Sequence, residues 1–382
     1  MRTRIIPIPD ISLSDEEAWR DLAARSVEPN PFYEADFLGP ACRHLRNGRG
    51  VVLLVAEEAG RFHACLPVHS VNLSASVSPP VIPSWRHLYG CLGTPLVAPE
   101  RSVEALSCLL ITLRGAGAWP RVVVLELFGD DGPVATYIRL AADALGLVVH
   151  PYASGERAVL KPQAEEADAL PARVGKERQA KARQWRRLCA DWADPAVTDR
   201  AKDRDGSTNF LAIEASGWKG KAGTALASQA RDAAFYREVA ARFRASGRLR
   251  LYSLEAGGKT LAMQTNLCAG HYMFDWKVGY DEQFASYGPG AQLQLRVLEL
   301  AREDGLRWID TCADVSNDHQ LRLCPDRRRI TTLAIGKGGR MENQVLALAV
   351  LAVETNGKLR GLSSRTLRYR LVESRIGKVL YR

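Results

Sequence analysis

The segment from His271 to Glu303, HYMFDWKVGYDEQFASYGPGAQLQLRVLELARE, admits few folds. An aromatic-rich stretch with strand character, His271 to Gly279, runs into a turn bracketed by Gly288 and Gly290. An apolar-faced helix, Gln292 to Asp304, follows at once. The first amides of such a helix have no intrahelical acceptor, and its macrodipole places partial positive charge there. Glycine lets a ligand approach the backbone with no Cβ in the way. Strand, tight glycine turn and helix in succession are one way to build a phosphate cradle, so a phosphorylated donor or cofactor is expected.

The 382-residue chain has room for two domains of ordinary size. A hydrophobic content of 46% with 25% charged residues is that of a globular protein. The longest apolar run, Val345 to Val353, is about half the ~18 residues that a membrane helix needs. The N-terminal sequence MRTRIIPIPDISLSDEE has no secretory pattern. The eight cysteines include no CxxC pair, which predicts reduced thiols, a cytoplasmic setting and no metal site. The net charge of +9 is uneven. Arg173 to Arg187 holds seven basic residues against Glu177, and Lys358 to Arg382 holds eight against Glu373. Such runs serve as solvated helix surface or as tracks for nucleic acid, anionic lipid or a cofactor's phosphates.

Along the chain, Val51 to Glu57 and His63 to Val71 read as a hairpin, and His87 to Val97 as a further strand-like segment. Val103 to Arg114 and Val134 to Leu145 have helical spacing around a buried strand, Val122 to Phe128, and Val148 to Leu160 is extended again. A linker beginning near Lys161 leads into a basic helix ending near Arg187. Phe210 to Leu226 is helix-prone but broken by glycines, and Ala230 to Ala245 is an amphipathic helix. Strands at Arg248 to Leu254, Thr260 to Leu267 and His271 to Gly279 precede the glycine turn, its helix and a strand at Leu306 to Thr311. Hairpin, helix, strand thus occurs twice, which predicts a duplicated α/β (α+β) module. The expected boundaries are 1–165 for the first domain, 166–340 for the second, and 341–382 for a basic helical extension.

Three motifs carry a resemblance. Glu214-Ala-Ser-Gly-Trp218-Lys219-Gly-Lys-Ala-Gly-Thr224 is the first. Lys277-Val-Gly-Tyr280-Asp281-Glu-Gln-Phe284 with Tyr287-Gly-Pro289-Gly290 is the second, and Asp310-Thr-Cys312-Ala313 with His319 and Asp326-Arg327-Arg328 the third. Over about Thr208 to Ile335 the chain resembles the GNAT-like acyltransferases of the CelD, cellulose-biosynthesis type. The resemblance implies tandem GNAT-like domains, as in Fem-type transferases, each a mixed, largely antiparallel sheet flanked by helices. It also implies transfer of an acetyl or other acyl group from acyl-CoA to an amine. The chain departs from the longer pyrophosphate loop of many such enzymes: the loop is abbreviated to Tyr-Gly-Pro-Gly-Ala, and Pro289 contributes no amide.

By that analogy, backbone amides of Lys277, Val278 and Gly279 polarise the thioester carbonyl, and Gly288, Gly290 and Ala291 hold the pyrophosphate. Asp275 and Lys277, at i and i+2, are expected on one strand face, with Asp275 as proton acceptor or as the ion-pair partner of Lys277. Tyr287 either protonates the leaving thiolate or packs under the helix, and Asp281 orients the loop beside Tyr280. Glu214 and Trp218, placed on one helical face, wall the acceptor pocket with Lys219, unless Trp218 is core. Asp310, Asp314 and His319 form a polar acceptor cluster, with His319 as a possible general base.

The expected partners are a small-molecule amine, an amino sugar or an amino acid derivative. A rival reading is a Fem-like aminoacyl-tRNA-dependent transferase, for which the basic stretches would supply the track. A second rival is an inactive fold that binds a glycan or another partner.

Overall fold

The computed structural model describes residues 1–73, 81–115, 121–162, 172–315 and 317–339. The centre of the expected linker and the expected basic extension at 341–382 lie outside these described residues. The chain divides into two compact units. The first comprises Met1–Cys42, Asn47–Glu156 and the described residues from Arg328 onward; the second comprises Arg43–Arg46 and Arg157–Arg327.

The first unit opens with β1 (Arg2–Pro7), α1 (Leu13–Arg25) and α2 (Ala35–His44). The hydroxyl of Ser12 caps α1 by accepting from the amide of Asp15, and Asp15 and Glu16 face the positive end of its dipole. Next come β2 (Val51–Glu58), β3 (Arg61–His69), β4 (Val81–Pro83), β5 (Leu96–Val97), α3 (Ser102–Arg114), β6 (Val122–Gly129), α4 (Pro133–Ala144) and β7 (Val148–Leu160). An antiparallel sheet runs β1-β2-β3-β5. The segment His87 to Val97, expected to be a strand, is irregular apart from β5. It packs so closely on β6 that a Cβ at Gly93 would overlap the carbonyl of Glu126.

The second unit contains α5 (Ala172–Asp191), β8 (Ala196–Asp199), α6 (Gly206–Ser216), α7 (Trp218–Lys221), α8 (Ala230–Ala245), β9 (Leu249–Ala256), β10 (Lys259–Ala269), β11 (Tyr272–Tyr280), α9 (Pro289–Glu303), β12 (Trp308–Asp310) and α10 (Asp318–Leu323). β8, β9, β10 and β11 pair antiparallel in sequence order, and β11 pairs parallel with β12. Gly257 and Gly258 both have positive φ, the turn that a two-residue hairpin between twisted strands requires. On one face of this sheet, Leu254, Leu261 and Met273 form a core with Leu293 and Val297 of α9. On the other, Trp276 of β11 stacks on Tyr236 of α8, which stacks on Phe210 of α6. The chain then returns to the first unit as β13 (Asp326–Gly336), antiparallel to β6, which is also paired in parallel with β4.

The architecture is the expected mixed α/β one, with largely antiparallel sheets flanked by helices. The strands at β2, β3, β6, β7 and β9 to β12 and the helices α3, α4, α8 and α9 fall where hydrophobic periodicity places them, and α5 falls on the basic run read as a helix.

Candidate active site

β11 is paired with β12 only through Tyr272, Met273 and Phe274, where β12 ends at Asp310. From Asp275 onward β11 has β10 on one edge and no strand among the described residues on the other. The register with β10 also changes here: Asn266 faces Asp275 and Thr265 faces Lys277, so Trp276 is an extra residue in a bulge. That bulge overturns one expectation. Thr265 bonds the hydroxyl of Tyr236 at 2.7 Å and therefore faces α8. Asp275 accepts from Gln294 of α9 at 3.0 Å. Lys277 follows Thr265 and Asp275 follows Asn266, so the two side chains lie on opposite faces of the sheet.

The bulge also sets which backbone groups look into the open edge. The amide of Asp281 donates to Leu261 at 2.9 Å. With Gln264 opposite Val278, this makes Val278 a position not hydrogen-bonded to β10. Its N–H and C=O therefore both face the open edge. The carbonyl there accepts from Lys219 Nζ at 2.7 Å, which leaves the amide as the donor.

The open edge leads to the start of α9. Asp281 caps the short turn from Glu282 to Tyr287 by accepting from Gln283 N, a structural role. Gly288 then adopts a left-handed conformation (φ 61°, ψ 48°), and α9 begins at Pro289, earlier than expected. Proline at the first helical position lacks an N–H that would have had no intrahelical partner anyway, so it shortens the cradle little. The amides of Gly290 and Ala291 remain at the helix start, and that of Gln292 closes on Gly288 O.

The three glycines differ in what they answer to. A Cβ at Gly279 would lie 2.8 Å from Glu214 Cα, so that glycine admits α6 against the strand. Gly288 is required by its positive φ. At Gly290 a Cβ would meet only Tyr280 and Val278 among the described residues, both at an ordinary 3.7 Å, so nothing there demands glycine. Lys181 of α5, missed as a site residue at the sequence level, places Nζ 3.5 Å from where a Cβ on Gly288 would lie. Gln184 holds it through a 3.2 Å bond, while its own amide reaches Ser286 O.

Several expected acceptor residues are engaged elsewhere. α6 ends at Ser216 and α7 begins at Trp218, so Glu214 and Trp218 do not share a helical face. Glu214 is buried, bound to Lys219 Nζ at 3.2 Å and to the amide of Leu226 at 2.9 Å, whereas Trp218 is 53% exposed and is not core. The Tyr287 hydroxyl donates to Asp191 at 2.7 Å, with Arg187 over its ring. Asp310 is fully buried, 3.4 Å from Arg157 Nη1, and accepts from the amide of Cys312. Asp314 is exposed. His319 lies in α10, but its side chain is outside what the structure describes.

Beneath α9, on the face shared by Asp275, lies a buried amide pair that no sequence pattern disclosed. Gln264 Nε2 donates to Asn266 Oδ1 at 2.8 Å, while Gln264 Oε1 and Asn266 Nδ2 find no partner among the described residues. Buried polar atoms are normally satisfied, so this interior beside Asp275 is built for polarity. Burial pushes the nearby Cys324 thiol up to about 12, with the charge of Asp275 adding to the shift, so that thiol is no ready nucleophile.

The profile of the family described as acetyltransferase (GNAT) domain matches residues 175–319, and no curated protein sequence matches the chain. Among solved structures, FemX superposes with a TM-score of 0.55 at 11% identity, covering 87% of this chain and 97% of its own. A protein of unknown function from Bacteroides thetaiotaomicron gives 0.54 at 14%, covering 86% and 97%. The C-terminal domain of a protein assigned as a lysylphosphatidylglycerol synthetase from Agrobacterium fabrum gives 0.54 at 13%, covering 88% and 94%. These likenesses establish a shared fold. Residues 175–319 match the acetyltransferase (GNAT) domain family, and that match supports an N-acyltransferase of the EC 2.3.1 class.

Proposed function

We propose that the protein transfers an acyl group, acetyl in the simplest case, from acyl-CoA to the amine of a small molecule, an amino sugar or an amino acid derivative. The observation that carries this reading is Gly290: its missing Cβ answers to no neighbour, at a helix start beside an open strand edge. A ligand that needs close backbone approach explains it. The CelD-type resemblance of the motifs around Tyr280 and Tyr287 points the same way.

In this reading the amides of Gly290 and Ala291, the left-handed turn at Gly288 and the Lys181 ammonium receive the donor's pyrophosphate. The thioester lies along the open edge of β11. There the Val278 amide, between Lys277 and Gly279, donates to the oxygen that becomes an oxyanion as the amine adds. Lys219 holds the Val278 peptide group in place through its carbonyl. Asp275, the first residue past the last β11–β12 pair and oriented by Gln294, accepts the proton that the amine loses. Tyr287, bound to Asp191, serves packing, and the departing thiolate takes its proton from water or from His319. Glu214 shapes the loop at Leu226, leaving the half-buried Tyr280 and the exposed Asp314 as the candidates for acceptor contact.

Incubation with acetyl-CoA and a panel of amines, read as free thiol released, tests the proposal. Thiol release dependent on one amine class supports it; none with any acyl-CoA contradicts it. The FemX likeness and the exposed Lys176, Arg183, Arg186 and Arg187 of α5 favour an aminoacyl-tRNA donor as the second reading. Activity that needs RNA and falls steeply with salt would select it.

A further inference from the structure

The two units repeat one plan as far as the helix after their last antiparallel strand. β1, β2, β3 and β5 in the first, and β8, β9, β10 and β11 in the second, pair antiparallel in sequence order. α3 follows β5 as α9 follows β11. Both helices are entered through a left-handed residue, Arg101 (φ 58°, ψ 31°) and Gly288 (φ 61°, ψ 48°). In each, the amide four residues on closes on that residue's carbonyl: Ala105 N on Arg101 O, and Gln292 N on Gly288 O. Val103 and Glu104 therefore stand where the second unit has Gly290 and Ala291.

The strand edges before these helices differ. In β5 the amide of Ala98 donates to His63 O of β3, so the N–H and C=O of Val97 face the other way, as those of Val278 do in β11. At Val278 the N–H is left facing an open edge. At Val97 both groups are taken by the segment that follows α1. Its N–H donates to Ser26 Oγ at 3.1 Å, and its C=O accepts from Val27 N at 2.9 Å. Farther along, the fully buried Asn30 donates through Nδ2 to Thr94 O at 2.8 Å and to Leu92 O at 3.3 Å. Ser26 to Asn30 thus runs beside residues 92–97 and makes the bonds that a ligand on that edge would make. Glu28 ties the segment down, accepting from Arg328 at 3.1 Å and from the amide of Val134 at 2.8 Å.

The start of α3 is closed to anions as well. Glu104 places a carboxylate in its first turn, where the dipole would otherwise favour a bound anion. The adjacent cation, Arg101, is held by Glu104 at 2.6 and 2.8 Å and by Glu58. Val103 carries a side chain where Gly290 has none.

We propose that the first unit is a donor module occupied by its own chain. Ser26 to Asn30 fill its groove, and the protein takes one acyl donor, in the second unit alone. The identity of that donor rests on the acyl-CoA reading; the filling of the groove does not.

Residue-resolved amide exchange and titration calorimetry on the full chain test it. Without ligand, the Val97 amide should exchange roughly a hundredfold or more slowly than that of Val278, since one edge is held by the fold and the other is open. Ser26→Ala should speed Val97 about tenfold, the loss of one hydrogen bond, and leave Val278 unchanged. Acetyl-CoA should bind as one molecule per chain. Gly290→Ala should abolish that binding, whereas Arg101→Gly should alter neither its affinity nor its stoichiometry, because the filled edge still excludes the donor. Three outcomes would each overturn the proposal: Val97 exchanging as fast as Val278, two acetyl-CoA molecules per chain, or binding that responds to Arg101→Gly and not to Gly290→Ala. No binding of acetyl-CoA at all would contradict the acyl-CoA reading instead, and the Val97 exchange would still decide whether the groove is filled.

Discussion

Gly279, Gly288 and Gly290 look alike in the sequence and do three different things. Gly279 makes room for α6, Gly288 turns the backbone left-handed, and Gly290 leaves space that the chain itself does not fill. Gly279→Ala should therefore destabilise by about 1–3 kcal/mol through overpacking, measured by urea unfolding. Glu214→Gln should cost roughly 1.5–3 kcal/mol, since its buried carboxylate accepts from Lys219 and from the amide of Leu226. If Glu214 anchored the acceptor instead, the substitution would raise the acceptor KM and leave stability alone. The importance of these letters was legible in the sequence, but their reasons were not. Which glycine touches a helix and which touches nothing depends on neighbours that are remote along the chain.

At the level of elements, the strand–turn–helix unit was readable because apolar periodicity and glycine punctuation agree there. The bulge at Trp276 was not, since two-residue alternation gives no sign of an inserted residue, and it sent Asp275 and Lys277 to opposite faces. The break between α6 and α7 misled in the same way, placing Glu214 inside and Trp218 outside. The basic helix α5 was visible as charge, yet only the fold shows that Lys181 differs from its neighbours by lying at the start of α9. Lys181→Met should weaken acyl-CoA binding roughly tenfold, the size of one charge-assisted hydrogen bond. It should also flatten the salt dependence of that binding. Arg183→Met, on the exposed side of the same helix, should change neither if CoA is the donor.

On the scale of the whole molecule, the fold class was legible, but not the way the chain shares itself between units. β13 returns to the first unit, where Arg328 pairs with Glu28 at 3.1 Å across 300 residues of sequence. Gly129 and Gly132 have no room for a Cβ beside that pair. The short segment Arg43–Arg46 belongs to the second unit, and Glu238 of α8 binds both Arg43 and His44. Burial pushes the Glu238 carboxyl up, but the bonds from Arg43 and His44 outweigh it and hold the group down at about 2. A depressed folded-state value contributes stability that is present above the ordinary 4.5 and is lost as pH falls from there through about 2. Glu238→Gln should remove that part of the acid-unfolding slope, which a titration followed by circular dichroism would record.

The central claim is that the start of α9 is a donor site. It is tested most directly by the Tm of the wild-type chain and of Gly290→Ala across a series of acetyl-CoA concentrations. A ligand that binds the folded state raises Tm with concentration. Wild type should show that rise. Gly290→Ala should match or exceed the wild-type Tm without ligand, because alanine suits a helix better than glycine, and should show little or no rise. An equal rise in both proteins, or none in wild type, would contradict the account.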